Sequence, residues 1–221
     1  MEKHWLKSYP PGVRPEIDMS EYPSLKELIE RGLAIHSVRD AYVQMGKTMT
    51  YGELDILSMQ FGAFLQSSCG LKKGDRVAVM MPNVLQYPIV VHGALRAGCT
   101  VVNTNPLYTT RELEHQLVDS GATVIVILEN FAHVLQEVIA NTPVKRVVVT
   151  SIGEMLGLKG VLVNFVIRHV KKLVPPFSLP GSVTFSQAIA EGKKRNLTKP
   201  QIVARDLPLG LSHHHHGAAD G

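Results

Sequence analysis

Four runs of strand-forming residues follow one another through the middle of the chain, roughly 23 residues apart, a spacing that fits one strand, one helix and their loops. The runs begin near Val77, Thr100, Thr123 and Arg146. Two of them, 77–81 and 124–128, are almost continuously apolar. Strands buried on both faces need such runs, whereas strands with one wet face alternate. The pattern therefore predicts an α/β fold in which a parallel sheet carries helices on both faces.

Helical periodicity fills the intervals between these runs, over residues 85–96, 111–120 and 131–140. The second helix has Thr109 at its cap and Glu112 three residues later, which is a capping-box pattern, and Gly121 ends it. A repeat protein is the competing interpretation of the regular spacing. The units share a period but not a sequence, so we do not expect a solenoid.

Residues 1–50 predict an N-terminal arm, a short helix and a hairpin. Prolines keep the arm extended, and Ser24 caps a helix over 25–31 that Gly32 ends. A turn at 46–47 then joins two short strands. A longer helix follows over 52–67, and its apolar face carries Leu54, Leu57, Phe61, Phe64 and Leu65.

A basic amphipathic helix is predicted over residues 158–174. Its apolar face is wide, its narrower face carries Asn164, Arg168 and Lys171, and a proline pair ends it. We expect the apolar face to pack against its own protein. The alternative is a membrane-surface helix, in which Arg168, Lys171 and Lys172 lie near anionic lipid.

Composition narrows the classes of partner and compartment. The chain is 45% hydrophobic and 19% charged with a net charge of +4 that is spread along it, so we expect a globular protein without a nucleic-acid partner. Cys69 and Cys99 lack metal-type spacing and are interpreted as reduced structural thiols rather than as a disulfide framework or a catalytic cysteine. The start lacks the apolar core of a signal peptide, which favours the cytoplasm, with peripheral contact at the inner face of the cell membrane as the alternative.

Motifs that would carry chemistry are scarce. The chain has no phosphate-binding glycine loop, no dinucleotide fingerprint and no zinc-protease motif, which argues against a stand-alone nucleotide-binding Rossmann domain. Its helical histidines lack a second ligand at helical spacing. Asn103, Thr104 and Asn105 follow the carboxyl end of a strand, where parallel sheets place ligands, but such residues are also common in turns. We retain them as a candidate ligand-facing loop.

Several segments resemble successive motifs of adenylate-forming acyl-CoA synthetases, and they occur in that family's order. Residues 128–132 (LENFA), 163–165 (VNF) and 170–172 (VKK) narrow the resemblance to bacterial long-chain fatty acyl-CoA ligases. It extends from Trp5 to about Asp206. The motifs shared with the wider family are 70–78 (GLKKGDRVA), 80–83 (MMPN), 85–88 (LQYP), 95–98 (LRAG) and, most plainly, 102–109 (VNTNPLYT).

The resemblance implies the Rossmann-like first subdomain of an enzyme that uses ATP and Mg²⁺ to activate a long-chain fatty acid and CoA to accept it. We expect residues 51–207 to form this subdomain, truncated where the nucleotide site would be completed. The family's phosphate loop, expected just beyond Asp206, is not found. We therefore assign no catalytic, cofactor-binding or metal-ligating residue, and expect this chain to be inactive and to bind none of these cofactors tightly. The alternative function is a non-enzymatic module that binds a membrane surface or a partner protein.

Residues 208–221 form an aberrant tail with four consecutive histidines, His213, His214, His215 and His216. A metal-binding tract or part of a tag would explain them. A frameshift near Leu207 fits better, because repeated CAC histidine codons read one base later give ACC, which encodes threonine, and the family has a threonine- and glycine-rich loop at this point. A sheet interrupted here would keep exposed edges, which favours a homo-oligomer.

Overall fold

The computed structural model describes residues 3–16, 18, 21–202 and 206, together with the backbone of 209–210. Short 3₁₀ helices span His4–Ser8, Glu129–Phe131 and Ile139–Asn141, and a π-helical turn spans Val166–Val170. In chain order the main elements are α1 (Leu25–Ile35), β1 (Asp40–Gln44), β2 (Lys47–Thr50), α2 (Tyr51–Ser67), β3 (Arg76–Met80), α3 (Gln86–Arg96), β4 (Thr100–Asn103), α4 (Thr110–Ser120), β5 (Val124–Leu128), α5 (Ala132–Val138), β6 (Arg146–Thr150), α6 (Leu158–Phe165), β7 (Val183–Thr184), α7 (Phe185–Gly192) and β8 (Leu209–Gly210).

A parallel sheet lies at the centre, with its described strands in the order β7-β6-β5-β3-β4-β8. The four longer strands begin within one residue of the predicted positions. Val77 of β3 lies beside Val124 of β5, which in turn lies beside Arg146 of β6. The α/β prediction is thus confirmed, and the strand order places β5 and β3 in the middle, where apolar runs are required.

Successive residues of the central strands point into two separate cores, as the period of a strand requires. Val77, Val79 and Val126 pack on one face with side chains of α2, α3 and α7. Ala78 and Ile125 pack on the other face with α4 and α5. Helices on both faces, as predicted, are therefore confirmed by two distinct clusters of buried side chains.

Close backbone contacts hold together the helices of the first face. A Cβ atom added to Gly62 of α2 would lie 2.8 Å from the carbonyl oxygen of Gly93 in α3, and one added to Gly93 would lie 2.8 Å from that of Ser58. A Cβ on Gly192 of α7 would lie 1.9 Å from the carbonyl oxygen of Gln60. Only glycine allows helices to approach this closely.

Two predictions in the N-terminal region are wrong in detail. Helix α1 continues through Gly32 to Ile35, because Leu33 is buried in the first core and its burial offsets the cost of a helical glycine. The hairpin turn lies at Met45 and Gly46 rather than at 46–47. Both residues have positive φ, 49° and 80°, as the favoured two-residue hairpin turn requires.

The C-terminal region differs from its prediction as well. The helix predicted over 158–174 comprises α6 and the π-helical turn, and therefore ends at Val170. The backbone of 209–210 pairs with β4. Residues 211–221, which include the four histidines, lie outside the described residues.

Candidate functional site

The loop after β4 is a turn held by hydrogen bonds to α3, α4 and β3 and by one hydrogen bond within the loop. The hydroxyl of Tyr87 donates to Asn103 Oδ1 at 3.0 Å, and Gln116 Nε2 donates to the Asn103 carbonyl at 3.0 Å. Thr104 is buried, and its backbone N–H donates to the carbonyl of Val79 at 2.9 Å. Asn105 Oδ1 accepts from the next N–H but one, as in an Asx turn. The ligand-facing role of Asn103, Thr104 and Asn105 therefore stays a prediction.

A second polar cluster, which the sequence did not reveal, lies at the carboxyl end of β6. Gln86 is fully buried, and its Nε2 donates to Thr150 Oγ1 and to the Ser151 carbonyl, each at 2.8 Å. Thr150 Oγ1 donates to Glu154 Oε2 at 2.7 Å, and Glu154 Oε1 accepts from the Ser186 hydroxyl at 2.6 Å. These bonds join the first turns of α3 and α7 to the sheet.

A buried carboxylate follows the end of β5. Arg168, in the π-helical turn, donates to Glu129 from Nε at 3.0 and 3.1 Å and from Nη2 at 2.8 Å. Both ends of the guanidinium fork are engaged, which is the strong form of this contact. Arg168 is thus fixed to the sheet, whereas Lys171 and Lys172 are exposed.

The polar face of α6, rather than its apolar face, rests on the protein. A Cβ on Gly160 would lie 1.8 Å from the carbonyl oxygen of Gly153, so the helix touches the preceding loop backbone to backbone. One turn later, Asn164 Oδ1 accepts from the Gly153 N–H at 2.8 Å, and Asn164 Nδ2 donates to Ser151 Oγ at 2.9 Å. Gly160, Asn164 and Arg168 follow one another at intervals of four residues, so they lie on one face of the helix.

The opposite face of α6 carries exposed apolar side chains. The expectation that this face packs against its own protein is therefore wrong for the described residues, because glycine, asparagine and arginine occupy the side of the helix that contacts them. The exposed fractions are 93% for Leu158, 70% for Val161, 65% for Leu162 and 55% for Phe165.

Comparison with known sequences decides the family. Residues 29–169 match the sequence profile described as AMP-binding enzyme. The chain belongs to the AMP-binding enzyme family. Among curated relatives, a long-chain-fatty-acid–CoA ligase of Salmonella typhimurium and one of Escherichia coli O157:H7 are each 50% identical over 208 residues. The alignment covers 94% of this chain and 37% of each relative, so the chain spans about 37% of their length.

Comparison with solved structures agrees with the fold of this family member. The crystal structure of an anthranilate CoA ligase in complex with anthranoyl-AMP superposes with a TM-score of 0.68, over 87% of this chain and 33% of that one. The sequence identity is 18%, so this likeness concerns the fold.

Burial shifts the pKa values of both cysteines and of one histidine in this chain. Burial raises the pKa of the Cys69 thiol to about 11, with Arg146 opposing the shift, and that of Cys99 to about 12. Protonated thiols are poor nucleophiles, which fits the interpretation as structural thiols. Burial, and then the charge of Arg96, lowers the pKa of His92. Within residues 3–16, 18, 21–202 and 206, no cluster of His, Cys, Asp or Glu could hold a metal ion.

Proposed function

We propose that this chain is the N-terminal part of a long-chain fatty acid–CoA ligase. The observation that carries this proposal is 50% identity, over 94% of the chain, to relatives of that name. The activity belongs to the longer protein. There the carboxylate of a fatty acid would attack the α-phosphorus of ATP and release pyrophosphate, which gives an acyl-adenylate, and the thiol of CoA would then take the acyl group as a thioester and release AMP.

The full protein would use ATP, Mg²⁺ and CoA, but the described residues do not fit a site for them. They contain no metal-binding cluster, and the polar atoms at the carboxyl edge of the sheet largely hydrogen-bond one another. We therefore assign no reaction step to these residues. Their part is to form the sheet of the first subdomain, within residues 51–207, against which the remaining protein would complete the nucleotide site.

A chimeric enzyme tests the function. The matching segment of the Salmonella typhimurium ligase is replaced by residues 5–202 of this chain, and ATP–pyrophosphate exchange is measured with a long-chain fatty acid. We expect exchange within roughly tenfold of the parent, because the transplanted segment supplies fold rather than reacting groups, and tenfold equals only about 1.4 kcal/mol. A folded chimera that activates no fatty acid would overturn the proposal. The 221-residue chain alone serves as the control and should give no exchange.

We further propose that the protein works at the inner face of the cell membrane as a peripheral protein. Each methylene of a fatty acid favours the bilayer by about 0.8 kcal/mol, so long-chain substrates concentrate there. Among the described residues, no helix is long and apolar enough to cross a bilayer. A homo-oligomer formed through the short edge strands is a separate proposal, which size-exclusion chromatography tests.

A further inference from the structure

Contacts on one side of α6 fix the orientation of the helix. Its apolar side chains point away from these contacts and are exposed on the surface of the described residues. The glycine contact at Gly160, the amide of Asn164 and the ion pair of Arg168 with Glu129 lie along one face. Rotating the helix to bury its apolar side would break all three contacts. The buried carboxylate of Glu129 would then have lost its ion pair with Arg168, and a buried charge without a partner costs free energy. The outward direction of Leu158, Val161, Leu162 and Phe165 is therefore built into the fold.

The hairpin turn extends this apolar surface. Lys159 Nζ donates to the Met45 carbonyl at 2.7 Å, which places the turn beside the first turn of α6. The hairpin is itself fixed, because Gln44 donates to the Ile152 carbonyl at 3.3 Å and accepts from the Leu85 N–H at 2.9 Å. The docking face comprises the exposed side chains of Val43, Met45, Leu158, Val161, Leu162 and Phe165.

The chain segment that carries α6 has charged side chains of a single sign. Residues 155–190 contain no aspartate or glutamate, but they contain Lys159, Arg168, Lys171 and Lys172. Arg168 is paired with Glu129, so the cations that reach solvent beyond the end of the helix are Lys171 and Lys172. An apolar helix face whose own segment carries cations and no acids complements a surface that is apolar inside and anionic outside.

We propose that the docking face binds the surface of an anionic lipid bilayer, with Lys171 and Lys172 contacting the lipid phosphates. This inference rests on the peripheral membrane location proposed above and names the surface responsible for it. The apolar side chains enter the boundary between headgroups and acyl chains, to a depth of about 5–10 Å. The polar contacts of α6 with the protein remain intact, so the chain binds without refolding.

Vesicle co-sedimentation of the full 221-residue chain tests the proposal. The vesicles contain phosphatidylcholine alone or with roughly one-third phosphatidylglycerol, and the chain should favour the anionic ones. The double variant Leu162→Gln/Phe165→Gln should bind both kinds of vesicle at least about tenfold more weakly than the unmodified chain, because apolar burial is lost. Lys171→Gln with Lys172→Gln should weaken binding to the anionic vesicles alone, by roughly 30-fold at about 1 kcal/mol per lysine. Val118→Gln, at an exposed valine of α4 on the other face of the sheet, is the matched control and should bind like the unmodified chain.

The other outcomes distinguish an error in the docking face from an error in the peripheral location. If the unmodified chain binds vesicles but both double variants bind equally well, the docking face is wrong while the peripheral location stands. If the folded chain sediments with neither vesicle, both are overturned, and the ligase proposal is still judged separately by the chimera. If Phe165→Gln abolishes a dimer on size-exclusion chromatography and no vesicle binding is found, the face is a contact between copies. Circular dichroism of every variant shows that it is folded.

Discussion

Arg168 and Glu129 lie 39 positions apart in the chain and meet in a two-pronged ion pair at the carboxyl end of β5. Glu129 is buried, whereas the arginine side chain is nearly half exposed. The pair secures the π-helical turn, and through it α6, to the centre of the sheet. An arginine paired with the sheet thus holds α6 in the orientation that exposes its apolar side chains.

Arg168→Ala should destabilise the chain by roughly 1–3 kcal/mol, which is below the usual cost of breaking a buried ion pair because the arginine is partly solvated. Urea unfolding measures the loss, and hydrogen exchange should accelerate over 158–170. Lys171→Ala, which removes an exposed cation from the same helix end, is the control and should change stability by less than about 0.5 kcal/mol. Equal effects of the two variants would contradict the structural role of the ion pair.

Two glycine substitutions should act in opposite directions. Gly160→Ala places a Cβ at 1.8 Å from the Gly153 carbonyl oxygen, so α6 must shift, at a cost of at least about 2 kcal/mol. Gly32→Ala adds a methyl group where no atom lies within 4 Å. It should stabilise α1 by about 0.5–1 kcal/mol, because glycine is a poor helix former. Thermal unfolding of both variants checks the pair, and a stable Gly160→Ala variant would contradict the backbone contact.

The cysteines should resist thiol reagents in the native chain. With a pKa of about 11, roughly one Cys69 thiol in a thousand is ionised near pH 8, and Cys99, with a pKa of about 12, is ionised more rarely. Cys99, which is buried, should react with Ellman's reagent at the rate of unfolding, Cys69, which is half-buried, should react more slowly than a free thiol, and both should react at once in urea. Since both pKa values are raised by folding, their contribution to stability is full below the unfolded-state pKa and declines as the pH rises toward 11–12. Cys99→Ala should weaken this alkaline loss, and fast native labelling would contradict burial of the thiols.

Acidification should destabilise the chain through His92. Burial and Arg96 lower its pKa, so the unfolded state takes up a proton more readily than the folded one. Stability is then full above the unfolded-state value of about 6.5 and declines as the pH falls toward the lowered folded-state value. His92→Asn, which cannot titrate, should show a smaller decline in the urea midpoint over this range. A decline in His92→Asn as large as that of the unmodified chain would contradict this role of His92.

The sheet could be predicted from sequence because its signals are local. Apolar runs such as 124–128, and the capping box between Thr109 and Glu112, act within one element, and the structure contains both. The direction of α6 could not be predicted in this way. An amphipathic pattern shows how wide the apolar face is, but the choice of the buried face depends on Gly153 and Glu129, which lie outside the helix. The resemblance to acyl-CoA synthetases supplied the family, which the apolar pattern alone did not.

The glycine contacts among α2, α3 and α7 restrict how this part of the protein can move. Packed helices slide over one another by small adjustments of the side chains that separate their backbones. At Gly62, Gly93 and Gly192 no side chain lies between the helices, so there is nothing to adjust. These three helices should therefore travel with the sheet as one rigid body. Any movement of this part of the protein relative to the rest must then occur at hinges outside this layer.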